Sequence, residues 1–199
     1  MTDVQPESIL VRVAFAPDPG APLSDVIRDL EDVLEVMDFA LFLTHGDVVR
    51  WENGGGRGQV RLTRLDHGTP VTLDIELVMS GGLGLTHADA LAGVTAAGSV
   101  LLTAARSDPA EAAAPTEDPA RTEEPVRSAR QVGAEAERRV VETMERVAYD
   151  ARGTDLAWRI REAEEQTVTN LDGTVGKGLR FVRAAARLAR RDGLDFRME

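Results

Sequence analysis

Apolar residues recur at every second position in two short stretches near the start of the chain. The first covers residues 9–15, where Arg12 is the polar residue between the apolar ones, and the second covers residues 71–77, where every intervening residue is polar. A period of two is typical of a β-strand that has one face in a core and the other in water. Residues 47–51 and 59–65 show a shorter and less regular pattern, and we predict a strand in each.

A period close to four predicts helices between and after these strands. One helix is expected to begin at Ser24, a residue type that favours helix N-termini, and to place apolar residues every three or four positions up to Leu41. Another begins at Thr86, with Asp89 at the spacing of a capping box, and ends near residue 105. The predicted order of this part is β-α-β-β-β-α, an α+β two-layer sandwich with a mostly antiparallel four-stranded sheet.

The pattern stops between residues 106 and 128. This segment contains four of the nine prolines, and its longest apolar run is Ala112 to Ala114. So little apolar surface does not offset the entropy lost on ordering, and we interpret the segment as a disordered linker. It divides the chain into an acidic α+β domain, residues 1–105, and a helical domain, residues 129–199.

The helical domain is predicted to be a small bundle that ends in a basic helix. An apolar residue returns about every fourth position from Val132 to Val147, Gly153 ends that helix, and Thr154 is placed to begin the next. A last helix is predicted over about 175–191. Its basic residues share one arc of the helical wheel, opposite the apolar ones. They are Lys177, Arg180, Arg183, Arg187, Arg190 and Arg191.

Three interpretations of this basic arc compete. In the first, the arc is a solvated face whose cations interact favourably with the negative end of the helix dipole. In the second, it docks on an acidic surface, either of another protein or of this chain's own first domain. The third interpretation is contact with nucleic acid or an anionic membrane. The net charge of −11 opposes the third, because residues 1–105 alone carry 15 acidic residues against six arginines. The basic arc also contains no aromatic residue that would stack on bases.

Composition excludes several classes of site. The chain contains no cysteine, which removes disulfides, thiolate metal sites and cysteine nucleophiles. Its first residues lack the basic start and apolar run of a signal peptide, and polar residues interrupt its longest apolar window, 83–105. We therefore expect that window to be a buried helix, with no transmembrane segment, and the protein to be cytoplasmic.

Two glycine-rich loops form a second candidate site. The predicted topology brings both loops and both helix N-termini to one end of the sheet, where free N–H groups and Arg57 favour a small anion or a nucleotide. The residues concerned are Gly55, Gly56, Arg57, Gly82, Gly84 and Thr86. Turn formation alone also accounts for these glycines, because neither loop contains a dinucleotide or Walker motif. The stretch 173–178 resembles a phosphate loop but lacks its first glycine and its Ser or Thr.

The histidines give little support for catalysis or metal binding. His45, His67 and His87 each lie near an aspartate, but the predicted topology allows only the first two to meet. We predict no catalytic residue, metal or cofactor. The expected function is that of a non-enzymatic protein–protein interaction or adaptor protein, whose helical domain docks on an acidic partner or self-associates. The alternatives are an anion- or nucleotide-binding regulatory domain and, less favoured, a nucleic-acid-binding protein that uses the last helix.

Overall fold

A computed structural model describes residues 8–18, 20–53, 59–78, 86–106, 129–169 and 174–199. The class is α+β, as predicted. The predicted linker lies outside the described residues, except for Arg106, the last residue of a helix. The elements in chain order are β1 Ser8–Ala16, α1 Leu23–His45, α2 Val48–Glu52, β2 Val60–Asp66, β3 Val71–Val78, α3 His87–Arg106, α4 Ala129–Asp150, α5 Asp155–Glu165, α6 Lys177–Leu188 and β4 Asp192–Met198.

The four strands form one antiparallel sheet in the order β2-β3-β1-β4. Val13 of β1 lies opposite Leu73 of β3 on one side and opposite Phe196 of β4 on the other. This order and these directions are those of the split β-α-β arrangement, in which strands and helices alternate as β-α-β-β-α-β. Here the short helix α2 precedes β2, and the helices α4, α5 and α6 are inserted between α3 and the last strand.

The fourth strand of the sheet is not the one that the sequence predicted. Residues 47–51 contribute the short helix α2, because the Asp47 carboxylate accepts a hydrogen bond of 2.9 Å from the Arg50 N–H and so caps a helical turn. The strand beside β1 is instead β4, at the end of the chain. Leu194 and Phe196 of β4 alternate with polar residues, which is the strand signal that the prediction overlooked.

The two long helices on the sheet begin at opposite ends, whereas the prediction placed both N-termini together. Helix α1 follows β1 and α3 follows β3, and these two strands run in opposite directions. Helix α1 also begins one residue before the predicted Ser24, with Pro22 as its N-cap. The start of α3 therefore lies near the end of α1, and a Cβ at Gly93 would come within 2.9 Å of the Ala40 carbonyl oxygen.

One hydrophobic core joins the residues on both sides of the predicted linker. The inward faces of β1 and β3 pack beneath α1 and α3, and the apolar stripe of α4, centred on Val140 and Met144, belongs to the same cluster. Helix α1 lies at its centre, and every residue from Val36 to Thr44 is buried. Phe39 of α1 stacks on Phe181 of α6 with ring centroids 3.8 Å apart. The described parts of the two predicted domains therefore do not pack separately.

Helix α3 has the length and composition of a helix that crosses a membrane, whereas the polar residues in the window 83–105 predicted a buried helix. Core helices of soluble proteins share these features. Half of its most apolar window is buried in the protein, against α1 and beneath Phe196. The small residues of α3 serve that packing, since a side chain at Gly98 would come within 2.6 Å of the Phe196 ring.

Candidate functional site

Three cations of the basic arc are paired with carboxylates of α1. Lys177 Nζ lies 2.8 Å from Asp38 Oδ2. A second pair joins Arg187 to Asp32, at 2.6 and 2.7 Å through two nitrogens. A third joins Arg191 to Asp29, at 2.9 Å; Arg191 lies beyond α6, which ends at Leu188 and not at 191 as predicted. We call these pairs the ion-pair ladder. The basic helix α6 thus docks on α1 of the same chain. Docking on this chain's own first domain was one of the interpretations of the basic arc.

The ladder forms because α1 presents an acidic residue at every third position while α6 runs alongside it in the opposite direction. Residues 29, 32 and 38 of α1 meet residues 191, 187 and 177 in that order. The three carboxylates are 1–3% exposed, so the ladder lies inside the protein on the side of α1. Such pairs contribute little net stability, since desolvation offsets their attraction, but removal of one partner leaves a buried charge alone.

Burial and pairing act against each other at Asp32. Loss of water raises the pKa of Asp32 above its ordinary value, and the hydrogen bond from Arg187 only partly opposes this. The same hydrogen bond raises the pKa of Arg187, so that its guanidinium is charged throughout the usual pH range. Arg187 is therefore the main group that opposes the upward shift in the pKa of Asp32 in the folded protein.

The other three basic residues take no part in the ladder. Arg180 and Arg190 are exposed, and neither has a carboxylate within 4 Å in the part of the chain that the structure describes. Arg183 is half-buried and lies 3.9 Å from a carboxylate oxygen of Glu137, a loose contact. We call Arg180, Arg183 and Arg190 the outward arginines.

An open groove of about 530 Å³ runs between α1 and α6 beside the outward arginines. Arg180 and Arg183 line it from α6, and Glu31 and Glu35 line it from α1. Its remaining lining residues are Leu34, Val175 and the Asp32–Arg187 pair of the ladder. The groove thus combines a basic wall, an acidic wall and two apolar side chains.

The stretch that resembled a phosphate loop serves helix packing instead. Gly176 and Gly178 lie against the end of α5, where the Leu179 N–H donates to the Gln166 carbonyl oxygen at 3.2 Å. A Cβ on Gly178 would overlap the Ala163 carbonyl oxygen, which is backbone and does not move aside. The two glycines therefore allow α6 to begin in contact with α5, and Lys177 between them turns into the core toward Asp38.

The glycine-loop site is described only at Thr86. Its N–H and hydroxyl both donate to Asp89 Oδ2, at 2.9 and 2.7 Å, and the Asp89 N–H donates to the Thr86 hydroxyl at 3.2 Å. These bonds confirm the capping box and lower the pKa of Asp89. Because the carboxylate already occupies this helix N-terminus, it opposes an incoming anion there. The other residues of this site lie outside the described part: Gly55, Gly56, Arg57, Gly82 and Gly84.

The histidines are arranged differently from the prediction. His45 ends α1 and His87 begins α3 at one end of the sheet, whereas His67 lies in the turn after β2 at the other. Partial burial and the nearby charge of Arg50 lower the pKa of His45, so it is neutral at neutral pH. Within the described ranges, no group of three or more His, Asp or Glu side chains is placed to hold a metal ion.

Sequence reasoning missed a residue that fixes the end of α1. Arg159 of α5 donates to the carbonyl oxygens of Leu43 and Thr44, both at 2.6 Å, and so satisfies two acceptors that the helix leaves open. No local sequence pattern predicts this contact, because more than a hundred residues separate Arg159 from its acceptors.

Comparison of the chain with protein-family models, with curated proteins and with solved structures found no match. The fold and the candidate site define an α+β protein with a basic arc of two kinds. Lys177, Arg187 and Arg191 are paired with buried carboxylates, whereas the outward arginines have no such partner among the described residues. The outward arginines and the groove beside them are the part of this helix that is open to a partner.

Proposed function

We propose that this chain is a non-enzymatic interaction protein, whose groove between α1 and α6 binds an acidic segment of a partner protein. The observation that carries the proposal is the position of Arg180 and Arg183, which line an open groove together with Leu34 and Val175. Arginine beside apolar surface is enriched at the energetic centres of protein interfaces. It also binds carboxylates through two parallel hydrogen bonds.

The ion-pair ladder supports this function by holding the basic wall in place. Arg187 is paired to Asp32, and Phe181, the residue directly after Arg180, is stacked on Phe39. The backbone that carries Arg180 and Arg183 is therefore fixed before a partner arrives. A preorganised surface binds with a smaller entropic loss than one that must order on contact.

The same groove argues against other ligand classes. Its side chains are Arg, Glu, Asp, Leu and Val, so it offers no Ser, His or Cys for a nucleophile–base pair. Glu31 and Glu35 on the opposite wall repel a polyanion. The solvent face of the sheet also lacks stacking aromatics on β1, where Leu10, Arg12 and Ala14 face outward, whereas sheets that bind RNA stack bases on aromatic side chains.

The direct test is selection of short peptides on the immobilised full-length protein. A random phage-displayed library of about 12-residue peptides should yield sequences that combine Asp or Glu with apolar residues. The selection should be lost with Arg180→Glu plus Arg183→Glu. Arg61→Glu plus Arg138→Glu is the matched control, because both arginines are about 63–64% exposed and lie on other faces.

Three results would contradict the proposal. One is selection of peptides without acidic residues, and another is selection that survives the Arg180 and Arg183 changes. The third is preference for a nucleic acid, measured as anisotropy of a labelled DNA duplex that falls steeply with added salt. That last result would favour the nucleic-acid interpretation of the basic arc instead.

A further inference from the structure

The N-terminal half of α1 carries an apolar stripe that no described residue covers. Leu23, Ile27 and Leu34 are 73%, 48% and 40% exposed, and the partly buried Leu30 lies between the last two. Their spacing of four, three and four residues is that of a helix that packs lengthwise on another helix. The same spacing continues to Met37, where the stripe enters the core.

Two opposite charges lie on the exposed side of this stripe. Arg28 has only a loose contact of 3.6 Å with Asp25 on its own helix. Glu31 is exposed and has no cation within 4 Å among the described residues. The exposed face thus reads apolar, basic, acidic, apolar from Ile27 to Leu34. We call these four residues, Ile27, Arg28, Glu31 and Leu34, the α1 face.

We infer that the α1 face binds the same face of a second copy of this chain, with the two helices antiparallel. A helix rises 1.5 Å per residue, so a two-fold axis between positions 30 and 31 places Ile27 level with Leu34 of the second copy. The same axis brings Arg28 within about 3 Å, along the helix axis, of the level of Glu31 of the second copy. The two-fold symmetry repeats both contacts, so the dimer contains two Ile27–Leu34 contacts and two Arg28–Glu31 contacts.

Charge complementarity is what selects a second copy as the occupant. A purely acidic partner that lies along α1, away from Arg180 and Arg183, would meet Glu31, and a purely basic partner would meet Arg28, so each would leave one like charge opposed. Only a face with both signs in reversed order matches all four positions, and the α1 face itself has that order. The α1 face shares Glu31 and Leu34 with the groove of the proposed function, so a second copy and an acidic segment would compete for that part of the surface. Ile27 and Arg28 lie outside the groove lining, and the outward arginines take no part in the proposed dimer, so the two proposals can be tested separately.

Sedimentation velocity of the full-length protein tests the inference directly. Over concentrations from about 1 to about 200 µM, the apparent mass should rise from 21.5 kDa toward twice that value. Ile27→Glu and Leu34→Glu should each weaken dimerisation at least about tenfold, because each places a charge at the apolar contact in both copies. Leu62→Glu is the control, since Leu62 is also exposed, at 54%, but lies on β2.

A charge swap distinguishes a second copy from any other occupant. Arg28→Glu and Glu31→Arg should each weaken dimerisation by roughly threefold to tenfold, and the double variant should restore it, because two exposed ion pairs are lost and then regained. A protein that stays monomeric up to the highest concentration overturns the inference. So does a dimer that Leu62→Glu dissociates, or a double swap that fails to restore it. Arg180→Glu plus Arg183→Glu should leave the dimer intact even if peptide selection fails.

Discussion

The basic residues of the last helix belong to two groups with opposite tasks. Lys177, Arg187 and Arg191 meet buried carboxylates of α1, whereas the outward arginines face water or an open groove. All six share one arc of a helical wheel, and that is all the sequence shows of them. The difference teaches that a basic face is not a binding surface by itself. The residues opposite each cation decide whether it holds the fold together or remains available to a partner.

Removal of the most buried cation should have the largest effect on stability. Lys177 is 6% exposed and its partner Asp38 is 1% exposed. Lys177→Met leaves that carboxylate without its cation in the core, so we expect the free energy of unfolding to fall by about 3 to 5 kcal/mol. Urea denaturation followed by circular dichroism measures this change. Arg180→Met is the matched control, and equal losses for the two variants would abolish the distinction between the groups.

The glycines that flank Lys177 give the next largest effect. A Cβ on Gly178 would overlap the Ala163 carbonyl oxygen, so Gly178→Ala should force α6 away from α5 and cost about 2 to 3 kcal/mol. Gly133→Ala in α4 is the control, because nothing lies within 4 Å of its added Cβ. That change should stabilise the protein by about 0.5 to 1 kcal/mol through helix propensity. A Gly178→Ala protein as stable as the wild type would show that the glycines are not there for packing.

A smaller and pH-dependent effect is expected at Arg187. The raised pKa of Asp32 means that the folded protein keeps this proton to a higher pH than the unfolded chain does, so the contribution of Asp32 to stability falls as pH rises through that range. In Arg187→Met the opposing cation is gone and the pKa should rise further. The variant should therefore match the wild type at low pH, where Asp32 is protonated, and lose about 1 to 2 kcal/mol near pH 7.

Urea denaturation of both proteins near pH 3, below the ordinary pKa of an aspartate, and near pH 7 checks this prediction. Adding Asp32→Asn to Arg187→Met should remove the pH dependence of the difference, because the neutral amide does not titrate. A stability loss of the same size at both pH values would mean that Arg187 acts through packing of its side chain rather than through the charge of Asp32.

The parts of the fold that were predictable are those with local signals. Apolar residues at every second position identified β1 and β3, and the four-residue stripe centred on Val140 identified α4. The prediction for residues 47–51 was wrong because two valines and a tryptophan favour a strand. The N-cap at Asp47 stabilises a helical turn there instead. Strand β4 was overlooked because only Leu194 and Phe196 face the core side of a short edge strand.

The candidate site was predictable in composition but not in arrangement. The sequence identified all six basic residues of the last helix, yet the ladder joins residues 139 to 162 positions apart, and no spacing rule reaches so far. The acidic residue at every third position of α1 was visible. It became informative only when the structure placed α6 beside it.

The smallest effect on stability is expected where the effect on binding should be largest. Arg180 is exposed without a carboxylate within 4 Å in the described residues, and Arg183 has only the 3.9 Å contact with Glu137. Arg180→Met plus Arg183→Met should therefore change the free energy of unfolding by no more than about 0.5 kcal/mol. The same variant should no longer select acidic peptides. A large loss of stability would instead assign these arginines to the fold. The groove would then have no free cation among the described residues to bind an acidic partner, because Arg190 does not line it.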